Sequence, residues 1–164
     1  MNLIENFTHQ EWTTLQFSFI WMFQAIASAD GKIDVGELDA MNFIQQKADT
    51  IQNQLAKEIL KSMNVNFNEV SVRYQMEPRT IRTGLRETAI IIENKLEHDD
   101  AVDFKKTLLA IGAFIANSSG DMLSSMISNE ESQTLTELSL YMKLTKEEFR
   151  SSPTMIEIME SFTK

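Results

Sequence analysis

The side chains best suited to chemistry in this chain are carboxylates gathered at two places. Asp30, Asp34 and Glu37 stand together in Asp30-Gly31-Lys32-Ile33-Asp34-Val35-Gly36-Glu37, and Asp121 and Glu131 flank a similar stretch in the second half. An oxygen-only ligand set suits a hard cation, Ca²⁺ or Mg²⁺, better than zinc or copper. Asp30, Asp34, Glu37, Asp121 and Glu131 are therefore the candidate metal ligands, with no organic cofactor expected. The same spacing has a second reading. Asp34 with Glu37, and Ser128 with Glu131, are three residues apart, as in a box where each side chain caps a free backbone N–H at a helix start. Such a cap contributes about 1 kcal/mol. Asp30 just precedes the helix-terminating Gly31, a position that calls for no carboxylate.

Set against a calcium loop, the first cluster matches in part. Asp30, Gly31, Ile33, Asp34 and Glu37 fall at the fifth, sixth, eighth, ninth and twelfth positions of an EF-hand. Its first position, which normally supplies a carboxylate, would be Ile26, and its third Ser28. A true EF-hand is not expected.

Composition narrows the remaining chemistry. The 164 residues include no cysteine, which removes disulfides, thiolate metal sites and cysteine nucleophiles together. The two histidines, His9 and His98, leave little room for zinc or imidazole catalysis, and both are read as surface residues, His98 in a connector. Ser118-Ser119-Gly120-Asp121 follows a helix and is no nucleophile elbow. The chain is expected to be non-enzymatic. Its net charge of −9 is unevenly placed: residues 1–50 hold seven acids and two bases, 51–98 six and seven, and 99–164 eleven and six. Acidic ends make nucleic acid a poor partner and attract cations or basic surfaces. Arg79, Arg82 and Arg86 recur at helical spacing, either as a face for an anionic partner or the acidic end of another copy, or as a solvated face with local ion pairs. No run approaches the roughly 20 apolar residues of a membrane span. The start, Met1-Asn2-Leu3-Ile4-Glu5, lacks a basic region, so a cytoplasmic location is expected.

Helices must position these residues. Thr8-His9-Gln10-Glu11 is a capping box, followed by Trp12, Leu15, Phe19, Met22, Phe23 and Ile26 as one apolar face. Asp30-Gly31 ends that helix and Asp34 opens the next. A third helix is expected over Thr50 to Met63. Residues 64–77 read as a short helix or loop. Pro78 is expected in the first turn of a helix running through Ile81 and Leu96. Asp99, Asp100 and Asp103 start another that reaches Asn117, and Ser128-Asn129-Glu130-Glu131 opens one through Leu138 and Met142. Thr145-Lys146-Glu147-Glu148 and Ser152-Pro153 read as starts of short terminal helices. The expectation is all-α: one domain over 1–164 with about seven to eight helices.

The halves, about 12–63 and 99–149, resemble each other. Ile26-Ala27-Ser28-Ala29-Asp30-Gly31 aligns with Ile115-Ala116-Asn117-Ser118-Ser119-Gly120, and Ile33-Asp34-Val35-Gly36-Glu37 with Ile127-Ser128-Asn129-Glu130-Glu131. This implies two pseudo-symmetric helical pairs. The order of these motifs, with Leu108-Leu109-Ala110-Ile111 before the second and Leu144-Thr145-Lys146-Glu147-Glu148-Phe149 after it, resembles the TerB-like tellurite-resistance family from Trp12 to Phe149. The resemblance implies an all-helical, pseudo-symmetric domain that binds a divalent cation, notably calcium, through acidic residues, in assemblies linked to tellurite resistance and stress response. On it, Asp30, Asp34 and Glu37 match the first acidic motif and Glu131 the second. Ser119 stands where the family usually places Asp, and Asp121 is the carboxylate expected to replace it. The alternative is a metal-free helical scaffold for protein partners or self-association, whose acidic residues only cap helices.

Overall fold

The computed structural model describes residues 3–27, 46–118, 136–150, 157, 158 and 160. Their regular structure is all helical, with no strand among the described residues. After a 3-10 turn at Leu3–Asn6 come α1 (His9–Ala27), α2 (Gln54–Val65), α3 (Phe67–Gln75), α4 (Ile81–Lys95) and α5 (His98–Ser118). A helical segment over 136–141, here α6, precedes α7 (Lys146–Arg150). No described helix is long and apolar enough to cross a membrane.

The first capping box forms as its spacing demands. Glu11 N–H donates to Thr8 Oγ1 at 3.1 Å, and Thr8 N–H donates to Glu11 Oε1 at 2.8 Å. The helix it starts is not amphipathic in the expected way. Besides Trp12, Leu15, Phe19, Met22 and Phe23, the opposite face is buried too, through Phe17, Trp21, Thr14 and Ser18. The reason is position: α1 packs against α4, α5, α2 and α3 together. A helix covered on most sides keeps only a narrow solvent stripe, here Thr13, Ile20 and Gln24, and has little face to keep polar. Its hydroxyls are satisfied within the helix, Thr14 donating to Gln10 C=O and Ser18 to Leu15 C=O.

The second central helix, α5, is likewise covered along Phe104 to Ala113. Its first turn carries Asp99 and Asp100, suited to the positive end of the helix dipole. Phe19 meets Phe104 edge-on, with ring centroids 6.3 Å apart, where α1 and α5 touch.

The expected third helix starts later than its apolar pattern implied. Ala48–Thr50 forms a 3-10 turn, and Asn53 caps α2 by accepting Ala56 N–H at 2.9 Å. The same Asn53 amide donates to Asp103 Oδ2 on α5 at 2.6 Å, so one side chain sets both the helix start and its docking. Ser62 performs the equivalent task facing α1. Its hydroxyl accepts from Trp12 Nε1 at 3.3 Å and Gln16 Nε2 at 3.0 Å while donating to Ile59 C=O.

Residues 64–77, open between helix and loop in the sequence, supply the end of α2 and the nine-residue α3. Pro78 lies outside the following helix. The cap of α4 is Thr80, whose side chain accepts Thr83 N–H, so the first helical turn begins beyond the proline. Buried apolar side chains from Phe7 to Ile158 belong to one cluster.

Candidate functional site

The acidic residues expected to hold a cation, Asp30, Asp34, Glu37, Asp121 and Glu131, lie outside the described residues, as do the helix starts at Asp34, Ser128 and Ser152. In the sequence the first cluster follows α1 and the second follows α5, and these two helices pack against each other. Among the described residues no three of His, Asp and Glu converge as a metal site. Where the Thr-x-x-Glu spacing is described, it caps helices. Thr145 and Glu148 repeat the geometry of Thr8 and Glu11, with both reciprocal bonds at 3.0 Å. The backbone N–H groups of Thr8 and Thr145 stabilise the ionised carboxylates and hold Glu11 and Glu148 below the usual Glu range.

Both histidines are exposed, at the first residues of α1 and α5. His98 is therefore part of a helix and not of a connector. Its Nε2 lies 2.6 Å from Glu148 Oε2, tying the second capping box to the start of α5.

A cleft of about 660 Å³ opens where the start of α1 meets the end of α3, the following linker and α4. Its chemistry centres on Arg79. Spacing placed Arg79 in a helical stripe with Arg82 and Arg86, but Arg79 precedes the Thr80 cap and leaves the stripe. Its guanidinium bonds to Glu77 and Glu87, donates to Thr14 Oγ1 on α1 at 3.1 Å, and sits 5.1 Å from the centroid of Trp21. Burial opposes the charge on Arg79, but the two carboxylates outweigh it and keep the group even more firmly protonated than usual. Arg82 lies over the Tyr141 ring, 5.8 Å from its centroid, and Arg86 is exposed. The stripe thus divides into a tethering residue and two outward ones.

Beside the cleft, Tyr74 OH donates to Gln24 and its ring packs edge-on against Phe17 at 5.3 Å. Burial, with the negative charge of Glu77, pushes the Tyr74 phenol up to about 12. This arrangement spends its charged groups on one another. Its geometry joins α1, α3 and α4.

Two further features escaped sequence reading. Lys105 and Lys106 are buried in α5, Lys106 with only 1% of its surface exposed. Lys105 Nζ reaches Glu93 Oε1 on α4 at 2.8 Å. Burial pushes the Lys106 ammonium down, against the opposing pull of Asp103 and Glu157. The available signal was a pair of lysines set between Phe104 and the apolar run that begins at Leu108.

The fold and cleft define an all-helical protein in which Glu11 and Glu148 cap helices while Arg79 and Lys105 tie neighbouring helices together. No family model matches the chain, and no solved structure matches it. It is similar to "Uncharacterized protein ORF11'" of Methanothermobacter thermautotrophicus, at 30% identity over 111 residues covering 66% of this chain and 74% of that protein. The chain belongs to the same family as that protein.

Proposed function

We propose that this protein is a non-enzymatic, cytoplasmic TerB-like module with two pseudo-symmetric halves. In this reading its first acidic corner takes up a divalent cation, Ca²⁺ or Mg²⁺, within a stress-response assembly of the kind linked to tellurite resistance. The observation that carries it is the clustering of Asp30, Asp34 and Glu37 directly after α1, with Asp30 at a position that capping does not use. Asp121 and Glu131 supply the second, weaker corner after α5. The non-catalytic part draws support from the described carboxylates: Glu11, Glu77, Glu87, Glu93 and Glu148 are each engaged by a backbone N–H or a basic side chain. Calorimetric titration with Ca²⁺ and Mg²⁺ tests the corner on wild type and Asp30→Ala. Saturable heat that disappears in the variant is the expected result. No binding at millimolar metal, or binding unchanged by the substitution, overturns the cation reading.

A second reading has its own observation. Both described Thr-x-x-Glu sequences form capping boxes, and Asp34 with Glu37 shares their spacing. The module would then be a metal-free scaffold for protein partners or for a second copy. On this reading Asp34→Ala lowers the thermal midpoint while added metal leaves the wild-type midpoint unmoved.

A further inference from the structure

Between α6 and α7 lies a groove of about 430 Å³, separate from the Arg79 cleft. Its apolar surface comes from Leu140, Leu144 and Phe149, and Leu140 is 64% exposed although it is a large aliphatic side chain. Lys146 and Arg150 stand on its rim, and no carboxylate lines it among the described residues. In a chain of net charge −9 this is a local reversal of sign.

The reversal follows from how α7 sorts its side chains. Lys146, Phe149 and Arg150 are three and four residues apart and share the groove-facing side. Glu148 is turned elsewhere, its two oxygens accepting from Thr145 N–H and contacting His98. Neither Lys146 nor Arg150 has a carboxylate within ion-pair distance among the described residues. The turn that sets α6 against α7 is built with specific geometry. Leu144 N–H donates to Ser139 C=O and Lys143 N–H to Leu140 C=O, with Lys143 in the left-handed region at φ 60°. That is the bond pattern of a Schellman helix end, and it folds Leu144 into the core.

We propose that this groove docks an acidic peptide segment of a partner protein, which seats an apolar side chain against Leu140 and Phe149 and places carboxylates on Lys146 and Arg150. Charge complementarity selects this occupant. An anionic membrane would require a broader basic face than Lys146 and Arg150 provide, since clusters of roughly four to eight bases are the usual signature. A short peptide responds to the local pair, because charges beyond about 8 Å are largely screened at physiological salt. The proposal adds a location to the module reading and rests on it in that respect. The metal titration of the first corner does not touch it, so the two fail separately.

The test is fluorescence polarisation with the full chain and a labelled synthetic peptide carrying Leu and Phe at helical spacing among Glu residues, beside a counterpart with Lys for Glu. Binding of the acidic peptide that weakens with salt, and none of the basic one, is expected. Lys146→Glu with Arg150→Glu should weaken it about tenfold or more. Leu140→Ser should weaken it as well, and thermal melts should show both variants folded. No binding at millimolar peptide overturns the proposal, as does equal binding of both peptides or binding indifferent to both variants. Charge-dependent binding to phosphatidylserine vesicles in place of the peptide overturns it too, in favour of a lipid surface.

Discussion

Gly84 stands so close to Trp21 that a Cβ built on it would lie 2.5 Å from Cζ2 and Cη2 of the indole. Helix α4 can approach α1 at this point because the residue has no side chain, and the indole of Trp21 fills the space. Glycine in a helix interior disfavours the helix by about 1 kcal/mol relative to alanine, so local propensity argues for the substitution and packing argues against it. Overpacking a full core typically costs about 1–3 kcal/mol. Gly84→Ala should therefore destabilise the protein, read as a lower urea midpoint with an unchanged slope. A midpoint that rises would show that the helices do not meet this closely.

Arg79 should not be replaceable by lysine. Its planar fork bonds to Glu77 and Glu87 at once and stacks over Trp21, whereas an ammonium offers one compact charge without that geometry. Arg79→Lys should lower stability by about 1–3 kcal/mol, measured by chemical denaturation. A variant as stable as wild type would mean that the inter-helix tie is dispensable.

Stability should fall at both ends of the pH range, for identifiable reasons. Glu11 and Glu148 are held below their ordinary 4.5 by the Thr8 and Thr145 N–H groups, so their contribution is present above that value and is lost as pH drops through their lower folded-state values. Denaturation curves of Glu11→Gln with Glu148→Gln, which keep a box-compatible amide but cannot titrate, should show a shallower acid limb. Tyr74 behaves with the opposite sign. Its phenol moves from 10.0 up to about 12, so its contribution is present below 10.0 and is lost as pH rises through about 12. Ultraviolet titration should show one phenolate appearing only near that pH, absent in Tyr74→Phe. An acid limb unchanged in the double variant, or ionisation of Tyr74 near 10, would contradict these assignments.

Lys143 adopts a backbone conformation that glycine favours. A left-handed non-glycine residue is strained by about 1–2 kcal/mol, partly offset by the unfolded-state freedom that glycine adds. Lys143→Gly should raise the thermal midpoint by a few degrees, equivalent to about 0.5–1 kcal/mol for a chain of this size. A decrease would indicate that the lysine side chain itself holds the turn between α6 and α7.

Capping boxes and helical periods were legible in the sequence because they are decided by neighbours. Thr8 with Glu11 and Thr145 with Glu148 form bonds across three residues, so their types and spacing suffice, and the all-helical class follows from many such local preferences agreeing. The short helix over Phe67–Gln75 was only half legible, because its apolar residues also fit alternation. Contacts between distant residues decided the rest. Arg79 meets Thr14 across 65 positions, Ser62 receives Trp12 and Gln16 across 50 and 46, and Lys105 finds Glu93 only because α4 packs on α5. One apolar stripe predicts which side of α1 is buried, but not that a second set of helices covers the other side. For the candidate site, the sequence contributed the carboxylates of the acidic corner, which are local. The Arg79 cleft and the basic-rimmed groove arose from tertiary packing, because burial and charge pairing are set by which helices meet, and a linear pattern does not carry that information.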